Sequence, residues 1–435
     1  LRRACRHGRI LGIEGKFLVT LAQTVIDGSK DGYPELEEKK EFIFKVLTQE
    51  EDQFNKTIDT GLKILGEMEE ALAAEGKKTL AGADAFKLYD TYGFPLELTK
   101  EIALEAGIST DEEGFKQEMQ EQKERARAAR NTINSMNRQS ADLLNFDLES
   151  KFDYNPTPIK AKVIALFKDG VKVDSIEDDG EVVLDTTTFY AESGGQVADT
   201  GYLLLNGQNI EVKDVQKAPR KQHLHSVETN GLTLNVGDEV EVKVNLARRN
   251  RITRNHSACH LLQKALQEVL GNGVHQAGSY VDEEKLRFDF TYVTKISQEQ
   301  LKLVERKVNE AIDAAYVTNI QELPIEEAKK LGAMALFGEK YDSIVRVVDF
   351  GGYSIEFCGG CHVSNTQDIG VFAIEFEESI SSGVRRIQAC AGIGGYKFLK
   401  SKEEILVNVS SNLGALSVYE TPDRLKTLLN NAKET

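Results

Sequence analysis

Two short segments, HSACH at 256–260 and CGGCH at 358–362, carry good metal ligands about a hundred residues apart. Any fold that uses them as one site must bring two remote stretches of chain together. His256 and His260 head an apolar-periodic run (Leu261, Leu262, Ala265, Leu266, Val269, Leu270), so a helix would project both imidazoles from one face. Cys358 and His362 flank Gly359 and Gly360, which permit a tight turn after the apolar stretch 355–357. His256, His260, Cys358 and His362 together form the favoured ligand set for a tetrahedral zinc ion, with Cys361 the rival for Cys358. A histidine pair alone is more often packing than metal, and CGGCH alone also fits a c-type haem attachment pattern. Haem would leave the histidine pair unexplained, and the chain shows neither a secretory segment nor an evident axial methionine. If all four ligands bind, the shell has no open position.

The 435 residues, 40% of them hydrophobic, are enough for about two to four domains with separate cores. Five cysteines without a paired spacing pattern outside CGGCH argue against a disulfide scaffold and for a reducing, cytoplasmic setting. The apolar runs are too short to span a bilayer, so no membrane partner is expected. The charged opening LRRACRH has no apolar core of signal-peptide type behind it and no initiator Met, so the chain is expected to begin inside a longer protein.

A net charge of −16 speaks against a generally adhesive nucleic-acid binder. Basic clusters nevertheless bracket the proposed metal site. Arg248, Arg249, Arg251 and Arg254 precede the histidine helix, Arg385 and Arg386 follow the 381–383 turn, and Arg2, Arg3, Arg6 and Arg9 crowd the start. A lone cluster of this kind is usually a solvated face; two beside one site favour a polyanionic substrate.

The chain reads as multidomain: an N-terminal all-α region, then a small β-barrel, then an α+β zinc-bearing domain. Residues 1–155 read as helical, with Phe42, Val46, Leu47, Phe54, Ile58, Leu62 and Leu65 keeping a helical stripe that Gly61 and Gly66 interrupt. Gly93 and Pro95 break a second helical element, and 111–140 reads as a polar helix. From 156 to 246, short alternating strands are separated by Asp169-Gly170, Asp179-Gly180, Asn206-Gly207 and Asn230-Gly231, which predicts the barrel. From 247 to 400, predicted helices at 260–271, 297–316 and 325–331 mix with strands at 286–292, 344–350 and 371–376. Residues 401–435 read as the start of a further, truncated linker or module. His223 and His225 share one face of a predicted strand and are taken as structural or exposed.

In order along the chain, LRRACRHGRILG, FKLYDTYGFPLELT, TFYAESGGQVADTG, RNHSACHLL, GAMALFGEKY and CGGCHV resemble the successive motifs of the alanyl-tRNA synthetase family. The likeness runs from residue 1 to about 410. It departs from the family pattern at Cys259 and Cys361, where threonine is usual. What is similar is the middle of such an enzyme: the latter part of the helical tRNA-recognition domain and the editing domain. The ATP-dependent aminoacylation domain and most of the C-terminal module, through which a parent protein would self-associate, are expected to lie outside it.

The resemblance implies tRNA(Ala) as partner, and hydrolysis of the ester that joins serine or glycine to its terminal ribose. A pocket that merely fits small side chains rejects an added hydroxyl weakly, so a second, hydrolytic site is the usual remedy. Thr187, Thr188 and Gln276 are then candidates for sensing the serine hydroxyl, against ordinary strand or loop hydrogen bonding. Arg248, Arg249, Arg251, Arg254, Arg385 and Arg386 become candidates for holding the acceptor end. Asp90 is the candidate for recognising the acceptor-stem G·U pair, against a capping role before the Gly93 break. Four protein ligands favour a zinc that orients substrate over one that generates hydroxide. Two other classes stay open: a tRNA-binding module with purely structural zinc, and an unrelated zinc hydrolase of small esters or amides.

Overall fold

Alternation and periodicity divide this chain between strands and helices, and the structure, a computed structural model, follows them closely. It describes residues 1–13, 15–128, 141–271, 273–334, 342–381 and 383–434. Two compact units emerge, Leu1–Ser135 and Met136–Thr435.

The first unit is built around the 35-residue helix Lys40–Ala74, with shorter helices at Gly82–Asp90, Leu96–Glu105 and Glu112–Ala128. Phe54 and Leu65 of the predicted stripe are buried with Phe86, Leu88 and Phe94, whereas Leu62 faces outward. The side chains of Phe42 and Ile58 lie outside the described residues. Gly61 has a packing reason, because a Cβ there would run into the Phe94 ring. Phe94 arrives at that place through Gly93, whose φ of 66° lets the Phe94 N–H donate to the Leu88 carbonyl at 2.9 Å and close the helix end. The unit is not purely helical: Thr79–Leu80 and Ser109–Thr110 form a short parallel pair. The predicted polar helix runs to Ala128, and 129–140 lies outside the described residues.

In the second unit six strands close a barrel, in the order Ile159–Lys168, Asp179–Leu184, His223–Glu228, Gln208–Lys217, Gly201–Leu205 and Glu239–Val244, which pairs back to the first. All these pairings are antiparallel. Inward residues such as Val163, Leu184, Leu203, Ile210 and Val242 fill it. Two predicted turns act as hairpin connections. Asp169-Gly170 (φ 51° and 80°) joins Lys168 to Val171, and Asn206-Gly207 (φ 52° and 82°) joins Leu205 to Gln208. Asp179-Gly180 is different: it opens a strand, with Gly180 opposite Val227 and packed close to Ile176.

Beyond the barrel, a four-stranded antiparallel sheet (Gln276–Val281, Leu286–Thr291, Val384–Ala391, Phe372–Ser381) and a three-stranded one (Thr318–Pro324, Ile344–Phe350, Ser354–Phe357) pack with the helices Leu246–Leu270 and Gln298–Asp313. The core between them contains Ile252, Leu262, Leu266, Phe288, Val304, Phe350 and Ile387. Helices Ile393–Asn412 and Thr421–Glu434 follow. No helix among the described residues is long and apolar enough to cross a membrane.

Candidate metal centre

The helix Leu246–Leu270 carries both histidines of HSACH, and it begins earlier than the apolar run alone predicts. Asn245 caps it, accepting from the Arg248 N–H at 3.1 Å. The arginine run therefore forms the first turns of the helix and is dealt out over several faces instead of making one patch. The CGGCH segment follows the strand Ser354–Phe357 and folds back onto this helix. Gly360 is needed for that approach, since a Cβ there would strike the His256 imidazole and the Gln196 amide.

The result is a cluster in which the donor atoms of His256, His260, Cys358 and His362 all lie within 4.8 Å of one another. Cys358 Sγ is 3.5 Å from His256 Nε2 and 3.3 Å from His362 Nε2. A tetrahedral zinc with bonds of about 2.0–2.1 Å to nitrogen and about 2.3 Å to sulfur has S···N edges of about 3.5 Å, which these two distances match. Two of the opposite ring nitrogens are hydrogen-bonded, His256 Nδ1 at 2.7 Å from Gln196 Oε1 and His362 Nδ1 at 3.2 Å from Ser257 Oγ, while His260 Nδ1 lies 2.8 Å from Glu356 Oε2 as an ion pair without hydrogen-bond geometry. Outer partners of this kind orient metal-binding imidazoles and select the tautomer that offers Nε2 inward.

Electrostatics agree with the geometry. Burial would raise the Cys358 thiol, but the imidazoles of His256, His362 and His260 draw it well below its usual range. Burial also keeps His362 neutral, lowering it to about 3. On His260 burial pulls downward, and Glu356 and Cys358 outweigh it. They raise it to about 10, so His260 holds a proton that a bound cation would displace, and a low-lying thiol and a buried carboxylate beside three imidazoles make a donor set suited to a divalent cation. Cys361 faces elsewhere: its N–H donates to Gln196 Oε1 at 2.9 Å, and burial pushes its thiol up to about 11.

The cluster opens on a cleft of about 680 Å³ lined by Tyr190, Lys217, His260, Gln276, Arg346 and Cys358 among others. Comparison with known proteins gives this cleft its setting. The family described as tRNA synthetases class II (A) matches residues 1–248, more than half of the chain. The chain belongs to the alanyl branch of that family. A second family, the Threonyl and Alanyl tRNA synthetase second additional domain, matches residues 345–388, which include Cys358 and His362. Alanine–tRNA ligase 1 of Lachnoclostridium phytofermentans is 51% identical over 415 residues, covering 93% of this chain and 47% of that protein. The Alanine–tRNA ligase of Bacillus cereus is 46% identical over 416 residues, covering 95% and 47%. That of Bacillus subtilis is 44% identical over 438 residues, covering 100% and 50%. The chain thus spans about half the length of the curated relatives it matches.

Within this alanyl-synthetase frame the remaining candidates separate. Gln276 lines the cleft, with its Nε2 donating to Ser279 Oγ at 3.1 Å. Thr187 and Thr188 are fully buried and do not line it. Thr187 Oγ1 is 2.8 Å from His225 Nε2 and accepts from the Phe189 N–H at 3.1 Å. Four of the six arginines are committed to internal acids. Arg249 grips Asp199, Arg248 reaches Glu283 at 3.0 Å, Arg385 pairs with Glu377, and Arg386 holds Asp289 at 2.7 and 2.8 Å. Arg251 and Arg254 have no ion pair among the described residues. Asp90 is exposed at the end of its helix, its carboxylate taken by Gln122 Nε2 rather than by a cap. His223 and His225 are both buried, correcting the exposed alternative. The GAMALFGEKY motif from residue 335 onward lies outside the described residues. Gln196 of ESGGQ, with Glu192 and Asp199 around the Gly194-Gly195 turn, is a candidate for polar contacts on sequence alone; Glu356, Ser257 and Lys217 were missed.

Proposed function

We propose that this chain is the editing segment of an alanyl-tRNA synthetase, hydrolysing Ser-tRNA(Ala) and Gly-tRNA(Ala) at a zinc site held by His256, His260, Cys358 and His362. The observation that carries this reading is the clustering of four donors, three of which (His256, His260 and Cys358) line a cleft whose 680 Å³ fall within the range of small-molecule sites. When bound, zinc would orient the aminoacyl end or polarise its ester carbonyl. Gln276, with Nε2 engaged by Ser279, keeps Oε1 available to accept from the serine hydroxyl that alanine lacks. It is therefore the preferred sensor over Thr187 and Thr188. Lys217, at the cleft with no acidic partner among the described residues, supplies the positive charge for terminal phosphates that the paired arginines do not. Asp90, exposed in the helical unit, is the proposed contact to the acceptor-stem G·U pair.

A second reading is favoured by one specific feature. Four protein donors leave a zinc shell closed, which is the pattern of structural sites, so the chain would bind tRNA without deacylating it. Incubation with Ser-tRNA(Ala) and Ala-tRNA(Ala) separates the two. The editing function requires loss of serine above the buffer rate with alanine spared by at least about tenfold. Tight tRNA binding with no deacylation would establish the structural-zinc alternative, and hydrolysis of small esters indifferent to tRNA would point to an unrelated hydrolase.

A further inference from the structure

The side chain that joins the two metal-bearing segments belongs to neither of them. Gln196 is fully buried, at the end of the turn 193–196 in which Gly194 and Gly195 have φ of 58° and 83°. Its backbone is fixed from two sides. Gln196 N–H donates to the Ser193 carbonyl at 3.0 Å, and Val281 N–H donates to the Gly195 carbonyl at 2.7 Å, docking the turn on the strand Gln276–Val281. The carboxamide oxygen accepts from the Cys361 N–H at 2.9 Å and lies 2.7 Å from His256 Nδ1.

These contacts determine more than a position. A backbone N–H can only donate, so the amide oxygen, not its nitrogen, must face Cys361. The same oxygen then requires a donor at His256 Nδ1, and a neutral imidazole protonated there offers its lone pair at Nε2. Nε2 is the atom facing Cys358 Sγ. Gln196 Nε2 meanwhile is buried without a partner among the described residues, an arrangement a purely structural amide would have little reason to keep.

We infer that Gln196 is a positioning residue of the metal centre: one amide oxygen sets the His256 tautomer and clamps the CGGCH loop against the histidine helix. This rests on the zinc reading above, and its test is separable from it. Zinc affinity is measured by chelator competition on the wild-type chain, Gln196→Leu and Gln196→Glu, each checked by circular dichroism, with cobalt substitution reporting the thiolate band. Leu keeps the bulk and loses the acceptor, so zinc affinity should fall about 10–100-fold. Glu keeps an acceptor for both donors, so affinity should stay within a few-fold of wild type. Equal affinity in wild type and the Leu variant overturns the role of Gln196 while leaving the zinc site standing. A tenfold or larger loss in the Glu variant overturns it too, and decides the matter should the Leu variant fail to fold. Absence of zinc binding by the wild-type chain defeats the underlying reading, and this inference with it.

Discussion

The Arg346 guanidinium lies 4.0 Å from the centre of the Tyr154 ring, and between them the two residues hold three consecutive carbonyls of the metal loop. Arg346 Nη1 donates to Cys358 O at 2.7 Å and Gly360 O at 2.9 Å, while Tyr154 Oη donates to Gly359 O at 2.8 Å. The loop carries Cys358 and His362, so its backbone sets where half of the proposed ligands stand. Replacing Arg346 with Ala removes two charge-assisted hydrogen bonds and the cation–π contact, and should weaken zinc binding by about tenfold or more. Tyr154→Phe keeps the ring under the guanidinium and loses one hydrogen bond, so its effect should be smaller. Chelator competition gives both values, and the reverse ranking would contradict the clamp.

The basic run before HSACH leads to a second prediction. Arg249 and Asp199 have side chains only 3% and 1% exposed, with Arg249 Nε 2.8 Å from each carboxylate oxygen and Nη2 2.7 Å from Thr188 O. Arg249→Ala would strand a buried carboxylate, at a cost of about 3–5 kcal/mol in unfolding free energy. Arg251→Ala, at an exposed position, should leave the denaturant midpoint unchanged. Urea unfolding of both variants reads this directly. A stable Arg249→Ala chain that has lost tRNA affinity would return Arg249 to the phosphate-binding candidates.

How far the sequence could be read follows the range of the interactions involved. Strand alternation, the Asn206-Gly207 turn and the helix bearing His256 and His260 are local, and all were legible. The meeting of HSACH with CGGCH across 102 residues was legible too, because metal chemistry restricts residue types so tightly. The fates of the arginines were not, since Glu377, Asp289, Asp199 and Glu283 are acids with no local pattern linking them to their partners. Thr187, a candidate sensor of the serine hydroxyl weighed against ordinary strand hydrogen bonding, pins the barrel wall, because the register of the His223–Glu228 strand brings His225 to it. Gly61, read as a weakness in a helix, is there to admit Phe94 from a later turn.

The rivalry between the two thiols of CGGC can be settled by metal content. Cys358 Sγ faces two imidazole Nε2 atoms, while Cys361 is buried toward Gln196 and Arg249. Cys358→Ser should bind zinc at least about tenfold more weakly, whereas Cys361→Thr should retain one equivalent. Elemental analysis after dialysis against a chelator distinguishes them, and zinc lost equally from both variants would mean that the ligand set is wrong.

Acid should expose the barrel pin. His225 is wholly buried, with Nδ1 2.9 Å from the Val182 carbonyl, Nε2 2.8 Å from Thr187 Oγ1 and the Phe189 ring alongside. The carbonyl accepts from Nδ1–H, so in the neutral ring Nε2 accepts from the Thr187 hydroxyl; burial lowers the imidazole to about 4 from 6.5 despite the Val182 bond. His223, on the same strand, is the titratable neighbour and is also held low, to about 3, mainly by burial. Between about pH 6.5 and 4 the unfolded chain therefore binds the proton at residue 225 and the folded chain does not. The stability tied to His225 is whole above pH 6.5 and drains away as the pH falls towards 4, by about 3 kcal/mol for a shift of about 2.5 units. His225→Gln has no proton to take up, and it relieves only the lesser pull that His225 exerts on His223, which burial mainly holds down. The difference in unfolding free energy between wild type and His225→Gln, followed in urea from pH 7 to pH 4 with zinc present, should shift by about that amount against the wild type. A difference that stays constant across the range would mean that His225 is not the neutral pin of the barrel wall.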